Sequence, residues 1–357
     1  MREPLVERRA ALRLARDAGR GDSDYQGYDG RIADAAVDWL KARAAKQGGK
    51  VDQKPWALLV SLVCPHFPLI ARPEWYDLYP EDKVPIPALY EPKEWPDHPY
   101  VRAIRECQVY QKGFAERPGS LQRAIAAYFG LVSYVDHNVG RLMDALEASG
   151  LADTTRVIYS SDHGDNLGTR GLWGKSTMYE ESAGIPMIVA GPGLPQGQVC
   201  REPATLVDIF PTIVKWAGVA PNPQDHDLPG LPLDEVAQKA PQRTILCEYH
   251  AAGAATGAFM IRKGPFKYVH YAGMPAQLFD LDADPQETRD LAREPGYAGL
   301  VADCHAALRA VVDPDAVDAL AKADQRARIA AYGGREAILN LGSFGHSPVP
   351  GVKAVYN

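Results

Sequence analysis

The sequence predicts an α/β protein: a mainly parallel, doubly wound sheet flanked by helices, with a smaller C-terminal antiparallel sheet plus helices. Stretches with apolar residues at helical spacing alternate with short continuous apolar runs, and such runs are typical of strands buried on both faces of a parallel sheet. Beyond residue 241 the pattern changes to short β-prone runs separated by glycine or proline, which indicates antiparallel strands.

The composition is typical of a globular protein with a large core, since 46% of the 357 residues are hydrophobic and 24% are charged. The net charge of −6 is spread along the chain, which argues against a nucleic-acid partner. The longest apolar run, Trp56 to Val63, is far shorter than the roughly 18 residues that a spanning helix needs, so no membrane partner is expected. Five cysteines without a CxxC pair favour a reducing compartment, and we expect a cytoplasmic protein.

The elements follow in order from the N-terminus. The Arg-rich stretch 2–20 contains three acidic residues and no continuous apolar segment, so it is interpreted as a surface helix rather than a targeting peptide. An amphipathic helix runs from Asp29 to Ala44 and stops at Gly48-Gly49. The run from Trp56 to Val63 is the first predicted strand, and the Pro- and aromatic-rich residues 64–118 are predicted to form a long ordered loop without regular elements.

The second half of the main domain repeats the alternation. The remaining elements predicted before residue 240 are a helix over 121–148, strands over 155–160 and 185–190, and a helix over 205–217. Those predicted after residue 241 are strands over 244–249, 258–262, 267–271 and 277–281 and helices over 286–292, 297–312 and 314–331. We therefore divide the chain into an α/β domain over 1–240, an α+β subdomain over 241–332 and an extended tail over 333–357.

The sharpest chemical signal is the stretch from Ser160 to Gly168, in which Asp162 and His163 follow a buried strand and are flanked by glycines. A carboxylate beside an imidazole, with no cysteine nearby, suits Mg²⁺, Mn²⁺ or Ca²⁺ better than structural zinc. The alternative is that Asp162 caps the following turn and His163 packs. The alternating acidic residues over 280–284 lack the glycine and glutamate of a calcium loop and are interpreted as a turn.

Several motifs together resemble the sulfatase family of the alkaline phosphatase superfamily. They are Asp-His-Gly-Asp at 162–165, Leu-Trp-Gly-Lys-Ser-Thr-Met-Tyr-Glu-Glu at 172–181, Cys-Pro-His-Phe-Pro at 64–68, and Leu-Phe-Asp-Leu at 278–281. The likeness extends from about residue 29 to 295. Because an Asp-His pair stands where many arylsulfatases have Asp-Asn, the chain is most similar to the branch of choline-sulfatases and phosphonate monoester hydrolases.

The resemblance implies roles for four side chains. Asp162 and His163 would be ligands of one divalent metal ion, Ca²⁺, Mn²⁺ or Mg²⁺. Lys175 would stabilise charge on the transferring group, and His66 would face the leaving group as a cation or general acid. Taken singly, the residues favour a solvated lysine at Lys175 and a loop histidine held by its prolines at His66, and only the joint pattern of motifs reverses that preference.

Other polar residues are given lesser roles. His250, at the end of a predicted strand, would either reach the organic part of the substrate or pack. Asp165, His137 and Asp208 are interpreted as structural residues.

The sequence also departs from the family. The family's nucleophile is a formylglycine made from the Cys or Ser of a Cys/Ser-x-Pro-x-Arg motif, and an Asp-Asp pair supplies further metal ligands, but neither motif is present here. We therefore expect an N-terminally truncated sulfatase-like chain that is inactive as given. Any signal peptide would lie upstream of residue 1, and the sheet would expose an apolar edge.

Three functions stay open at this point. The leading hypothesis is a metal-dependent hydrolase of sulfate esters acting on a small-molecule ester. The second is a phosphonate monoester hydrolase or phosphodiesterase that uses the same residues. The third is a non-catalytic remnant that acts as a binding or assembly module. Self-association through the tail that begins at Gly333 is compatible with each of them.

Overall fold

The computed structural model describes residues 6–47, 54–239, 243–342 and 348–353. The α/β class and the C-terminal antiparallel sheet are confirmed. The helices are α1 Arg13–Asp17, α2 Asp24–Gln47, α3 Pro73–Tyr76, α4 Pro99–Cys107, α5 Tyr110–Ala115, α6 Ser120–Ala148, α7 Glu180–Ala183, α8 Ile209–Trp216, α9 Leu233–Lys239, α10 Ala298–Val311, α11 Pro314–Ala331 and α12 Arg335–Leu341. The strands are β1 Gly19–Arg20, β2 Ile70–Ala71, β3 Val157–Ser160, β4 Met187–Ala190, β5 Thr244–Tyr249, β6 Ala258–Lys263, β7 Phe266–Tyr271 and β8 Met274–Asp280. None of the helices in these described ranges is long and apolar enough to cross a membrane.

The long helix α6 organises the N-terminal half. Its small and apolar residues pack against α2 and α3 in the largest hydrophobic cluster of the described residues. Tyr134 donates a hydrogen bond to the carbonyl oxygen of Gln26 at 2.6 Å, which fixes α6 against the start of α2. Both carboxylate oxygens of buried Asp29 accept backbone N–H groups, from Val63 and Cys64, at 2.8 Å each. These bonds anchor the chain immediately before His66.

The central strands differ from the predicted parallel arrangement. In the described N-terminal half, β1 and β2 form a parallel pair of two residues each, whereas β3 and β4 pair antiparallel with Ser160 opposite Met187. A parallel pair needs a crossover connection, usually a helix that packs back on the sheet. Residues 161–186 contain only short helical turns and double back, so β4 returns alongside β3 in the opposite direction.

Residues 56–63 were predicted as a buried strand, and that prediction is wrong for the described structure. The segment has no regular secondary structure and belongs to none of the sheets of the described residues. A strand needs a neighbour to pair its backbone groups, and no described strand pairs with this segment. Leu59 is consequently 90% exposed.

Residues 64–118 were predicted to lack regular elements, and this is also wrong, because α4 and α5 lie within them. Pro99 stands at the first turn of α4, where its missing N–H is tolerated, and the next proline is Pro118. Three apolar residues of α4 repeat at helical spacing and are buried, namely Tyr100, Ile104 and Cys107. The apolar pattern of this stretch therefore does indicate the helix.

The C-terminal subdomain follows its prediction closely. Strands β5 to β8 form a four-stranded antiparallel sheet in chain order, with α10 packed on β6 and β7. Residues 286–292 do not form the predicted helix: the chain there has Glu287 at a φ of 52° and then a short 3-10 turn, Leu291–Arg293. The tail from Gly333 is not wholly extended, since it contains α12. The stop at Gly48-Gly49 lies outside the described residues.

The unpaired segment leads to a first prediction. We expect Leu59→Ser to change the free energy of unfolding by less than about 0.5 kcal/mol, because the side chain is almost fully exposed. It should nevertheless reduce the fluorescence of an apolar-surface dye, because Leu59 and its neighbour Leu58 are both exposed and together present an apolar surface. Leu320→Ser, which removes a 63% exposed leucine from α11, is the matched control. Equal dye fluorescence in the Leu59 variant and the unchanged chain would contradict this view of the segment.

Candidate active site

Asp162 and His163 follow the last residue of β3 and lie side by side. The side chain of Asp162 is largely exposed, and its Oδ2 lies 3.6 Å from Nε2 of His163. Nδ1 of His163 lies 2.8 Å from the carbonyl oxygen of Gly164. Because a carbonyl only accepts, Nδ1 carries the proton and Nε2 presents its lone pair towards Asp162. A ring lone pair and a carboxylate oxygen thus lie within 3.6 Å of each other.

This pair fits a divalent cation. Metal-ligating histidines usually donate their other ring N–H to a carbonyl or carboxylate, as His163 does to Gly164. Across the described residues, no group of three or more His, Cys, Asp or Glu side chains has an arrangement that could hold a metal ion. Among the described residues, Asp162 and His163 are thus two side chains whose chemistry would suit an oxygen-preferring cation such as Mg²⁺, Mn²⁺ or Ca²⁺.

His66 and Lys175 meet although they lie more than one hundred residues apart. Nζ of Lys175 lies 2.8 Å from Nε2 of His66, and Nδ1 of His66 donates to the carbonyl oxygen of Phe67 at 2.7 Å. The Lys175 ammonium also lies 5.6 Å from the centre of the Phe67 ring, a cation–π contact. The imidazole thus accepts from lysine on one side and donates on the other.

The electrostatics of this pair follow from burial and like charge. Burial, and then the neighbouring Lys175 ammonium, lower the pKa of His66 to about 4. His66 is therefore neutral at neutral pH, which matches its role as acceptor. Burial also lowers the pKa of Lys175, while the carboxylates of Asp162 and Asp165 oppose that shift.

The two pairs face each other. The rings of His66 and His163 have centroids 6.2 Å apart, tilted by 60°. The charge of Asp162 acts on the pKa of both His66 and Lys175. All four side chains singled out from the sequence thus converge at the ends of β3 and of the 54–63 segment.

Asp165 and Asn166 fix the backbone next to Lys175. Oδ1 of Asp165 accepts the N–H groups of Leu167 at 2.8 Å and Gly174 at 2.9 Å. The amide of Asn166 donates to the carbonyl oxygen of Gly174 at 2.7 Å. Burial raises the pKa of Asp165, and the two backbone donors oppose this shift. The interpretation of Asp165 as structural is consistent with these bonds, which hold the residue before the lysine.

A buried ionic cluster behind the site was missed by sequence reasoning. Nζ of Lys267, on β7, lies 2.8 Å from Oε1 of Glu287, and both side chains are 1% exposed. Nζ also lies 2.5 Å from Glu180 and donates to the carbonyl oxygen of Met178 at 2.8 Å. A lysine in a strand is ordinarily expected to face solvent. The sequence around Lys267 therefore does not predict that its side chain is buried in this cluster.

Arg170 forms a second buried contact with the same loop. Its guanidinium, 1% exposed, donates to Glu181 at 2.7 Å and to the carbonyl oxygen of Gln286. It also lies 4.1 Å above the centre of the Tyr179 ring. The loop that carries Lys175 is therefore tied to the C-terminal sheet at several points.

The other polar residues have structural contacts. His250 packs edge-on against Phe259 and lies 3.2 Å from Glu248. Asp208 is fully buried and binds Arg243 through both oxygens at 2.9 and 3.0 Å. His137 lies against Trp75 on the α6 surface. These contacts favour packing roles, as interpreted from the sequence for Asp208 and His137.

An α/β fold with an Asp–His pair just after a strand, and with a lysine of the following loop beside it, resembles hydrolases of the alkaline phosphatase superfamily, as the sequence motifs implied. Comparison with known protein families agrees. The family model described as "Sulfatase" matches residues 9–219, and the one described as "N-sulphoglucosamine sulphohydrolase, C-terminal" matches residues 168–313. The chain belongs to the sulfatase family.

Individual relatives give the scale of the likeness. The chain is 35% identical over 271 residues to a choline-sulfatase from Rhizobium meliloti (strain 1021), covering 75% of this chain and 52% of the relative. Among solved structures, the phosphonate monoester hydrolase SpPMH from Silicibacter pomeroyi is 25% identical to this chain with a TM-score of 0.61. The match covers 87% of this chain and 62% of the SpPMH chain. A protein solved in complex with its substrate D-glucosamine-2-N,6-O-disulfate has a TM-score of 0.64 at 22% identity, covering 78% and 71%, which shows the fold alone. The chain spans about half the length of the choline-sulfatase that it matches.

Proposed function

We propose that Asp162, His163, Lys175 and His66 form the metal- and cation-bearing part of a site that binds and hydrolyses sulfate esters. The observation that carries this proposal is the 2.8 Å contact between Lys175 and His66 beside the Asp162–His163 pair. A cation next to two potential metal ligands is what an anionic tetrahedral group needs, and this supports the proposal.

The chemistry follows from the protonation states. A bound divalent ion would supply Lewis-acid polarisation of a non-bridging sulfuryl oxygen. The Lys175 ammonium donates to the developing charge on the sulfuryl or leaving oxygen, and neutral His66 orients that ammonium through Nε2. Lys175 is therefore the acid of the pair, whereas His66 becomes a general acid only after Nε2 takes up its own proton, which its low pKa disfavours at neutral pH.

The nucleophile sets a limit on turnover. No residue of the sequence stands in a Cys/Ser-x-Pro-x-Arg motif, the source of the family's formylglycine. We therefore expect the 357-residue chain to bind metal and ester without releasing product.

The choice between sulfate and phosphonate esters is a direct test. In the presence of Mn²⁺, p-nitrophenyl sulfate should bind more tightly than p-nitrophenyl phenylphosphonate, measured by calorimetry on the same protein. This ranking rests on the 35% identity to a choline-sulfatase. The second candidate, a phosphonate monoester hydrolase, is favoured by the similarity to SpPMH over 87% of the chain, and tighter binding of the phosphonate would establish it instead. A folded chain that binds neither ester nor Mn²⁺ would leave the non-catalytic binding module as the function.

A further inference from the structure

Ser176, the residue after Lys175, has a strained backbone. Its φ of 106° is the largest positive value among the described non-glycine residues and lies beyond the left-handed region that such residues occasionally occupy. A residue is held in such a conformation only when its surroundings over-determine it, and such residues cluster at functional sites. Ser176 is 6% exposed, so protein contacts rather than solvent determine its conformation.

The contacts of the Ser176 hydroxyl come from two distant elements. Its Oγ lies 2.8 Å from the hydroxyl of Tyr249, at the end of β5, and 3.3 Å from the side-chain nitrogen of Gln108, just after α4. The Tyr249 hydroxyl also donates to the carbonyl oxygen of Ala252 at 2.9 Å. The Tyr249 proton is thereby used, so Ser176 donates to Tyr249 and accepts from Gln108.

These hydrogen bonds bear on the direction in which the Lys175 side chain points. Asp165 and Asn166 fix Gly174, the residue before the lysine, and the Ser176 hydroxyl fixes the residue after it. A change of φ at Ser176 would rotate the peptide bond that joins it to Lys175, and with it the backbone from which the Lys175 side chain reaches His66. The strain is therefore located where it sets the direction of the catalytic cation.

We propose that Ser176 is a positioning residue, and that Tyr249 of the C-terminal sheet holds it so that Lys175 meets His66. The inference deepens the proposed function, on which its significance for catalysis rests. The geometric part of the claim, that this tether maintains the Lys175–His66 hydrogen bond, can be tested without any ester.

The test uses the full chain and three variants. Tyr249→Phe removes one hydroxyl, Ser176→Gly removes the tether and the backbone strain together, and Tyr332→Phe is the control because Tyr332 is 71% exposed on the surface. The readout is the ¹⁵N resonance of Nε2 of His66 at neutral pH, compared with that of Lys175→Met, in which the hydrogen bond is absent. A thermal unfolding curve is recorded for each variant to show that it is folded.

We expect the Nε2 resonance in Tyr249→Phe and Ser176→Gly to move towards the Lys175→Met value, and to stay unchanged in Tyr332→Phe. A merely structural role would lower the unfolding temperature without moving this resonance, and that result in folded Tyr249→Phe would overturn the proposal. Binding of inorganic sulfate, measured separately, should weaken by about tenfold in Tyr249→Phe, as for the loss of one well-placed hydrogen bond to an anion. If the unchanged chain binds no sulfate, the proposed function fails while the resonance still decides the role of Ser176.

Discussion

Replacing Lys267 by methionine is expected to lower the free energy of unfolding by about 3–5 kcal/mol, because removal of one partner leaves a buried charge uncompensated. The stranded group is Glu287, 1% exposed and 2.8 Å from Lys267 in the unchanged protein. Burial already raises the pKa of Glu287, and the neighbouring Lys267 ammonium is what opposes that shift. Chemical denaturation at neutral pH measures the loss.

The pH dependence of this variant has a definite sign. Without Lys267 the pKa of Glu287 in the folded state rises further. As the pH falls, Glu287 is therefore protonated in the folded protein at a higher pH than in the unfolded chain. The stability of Lys267→Met relative to the unchanged protein is therefore greatest in acid and falls as the pH rises through the pKa of Glu287 in the folded variant. The double variant Lys267→Met/Glu287→Gln, which carries no buried charge at these positions, should recover stability and lose this pH dependence. A loss in Lys267→Met that is independent of pH would contradict the assignment.

His163→Ala is expected to abolish measurable binding of Mn²⁺, with an affinity lower by at least about 100-fold. The estimate is conservative, since loss of a hydrogen-bond partner of a metal ligand alone costs roughly 10–100-fold. Nε2 of His163 and Oδ2 of Asp162 lie 3.6 Å apart, close enough for one ion to bind both, so each should matter. Electron paramagnetic resonance of free Mn²⁺ measures the bound fraction.

Matched variants make the metal result specific. Asp162→Asn keeps the shape of the side chain and should weaken Mn²⁺ binding in the same way. His137→Ala removes a histidine that lies against Trp75 rather than in the site, and it should leave Mn²⁺ affinity unchanged. Unchanged Mn²⁺ affinity in His163→Ala and Asp162→Asn would show that Mn²⁺ binds elsewhere, and a loss in His137→Ala as large as theirs would contradict a specific site at this pair.

Much of the fold could be predicted from periodicity. The apolar stripe of α6 and the short runs of β5 to β8 carry their structure locally, and their observed bounds lie within a few residues of the predicted ones. The segment 56–63 could not be predicted in this way, because a continuous apolar run indicates a strand but does not indicate which neighbour pairs with it. The hydrophobic pattern also could not predict that β4 runs antiparallel to β3, since this direction depends on how residues 161–186 fold back.

The candidate site was predictable in part for a similar reason. Asp162 and His163 are adjacent in sequence, so their proximity needed only a strand end. The family resemblance implied that Lys175 and His66 both lie at the ester, but their direct contact depends on the tertiary fold. The groups that hold the lysine loop, namely Lys267 and Ser176, left no local signal, because burial of a lysine and strain of a serine are consequences of distant contacts.

The affinity for p-nitrophenyl sulfate, measured by calorimetry with and without Mn²⁺, shows whether Asp162, His163, Lys175 and His66 form a sulfate-ester site. We expect Mn²⁺ to tighten binding to the unchanged chain, and Lys175→Met to weaken it by about 10–100-fold, the value of a hydrogen bond from a charged group. Asp162→Asn should remove the Mn²⁺ effect. Equal affinity in the unchanged chain and Lys175→Met, with or without the metal, would contradict a sulfate-ester site at these residues.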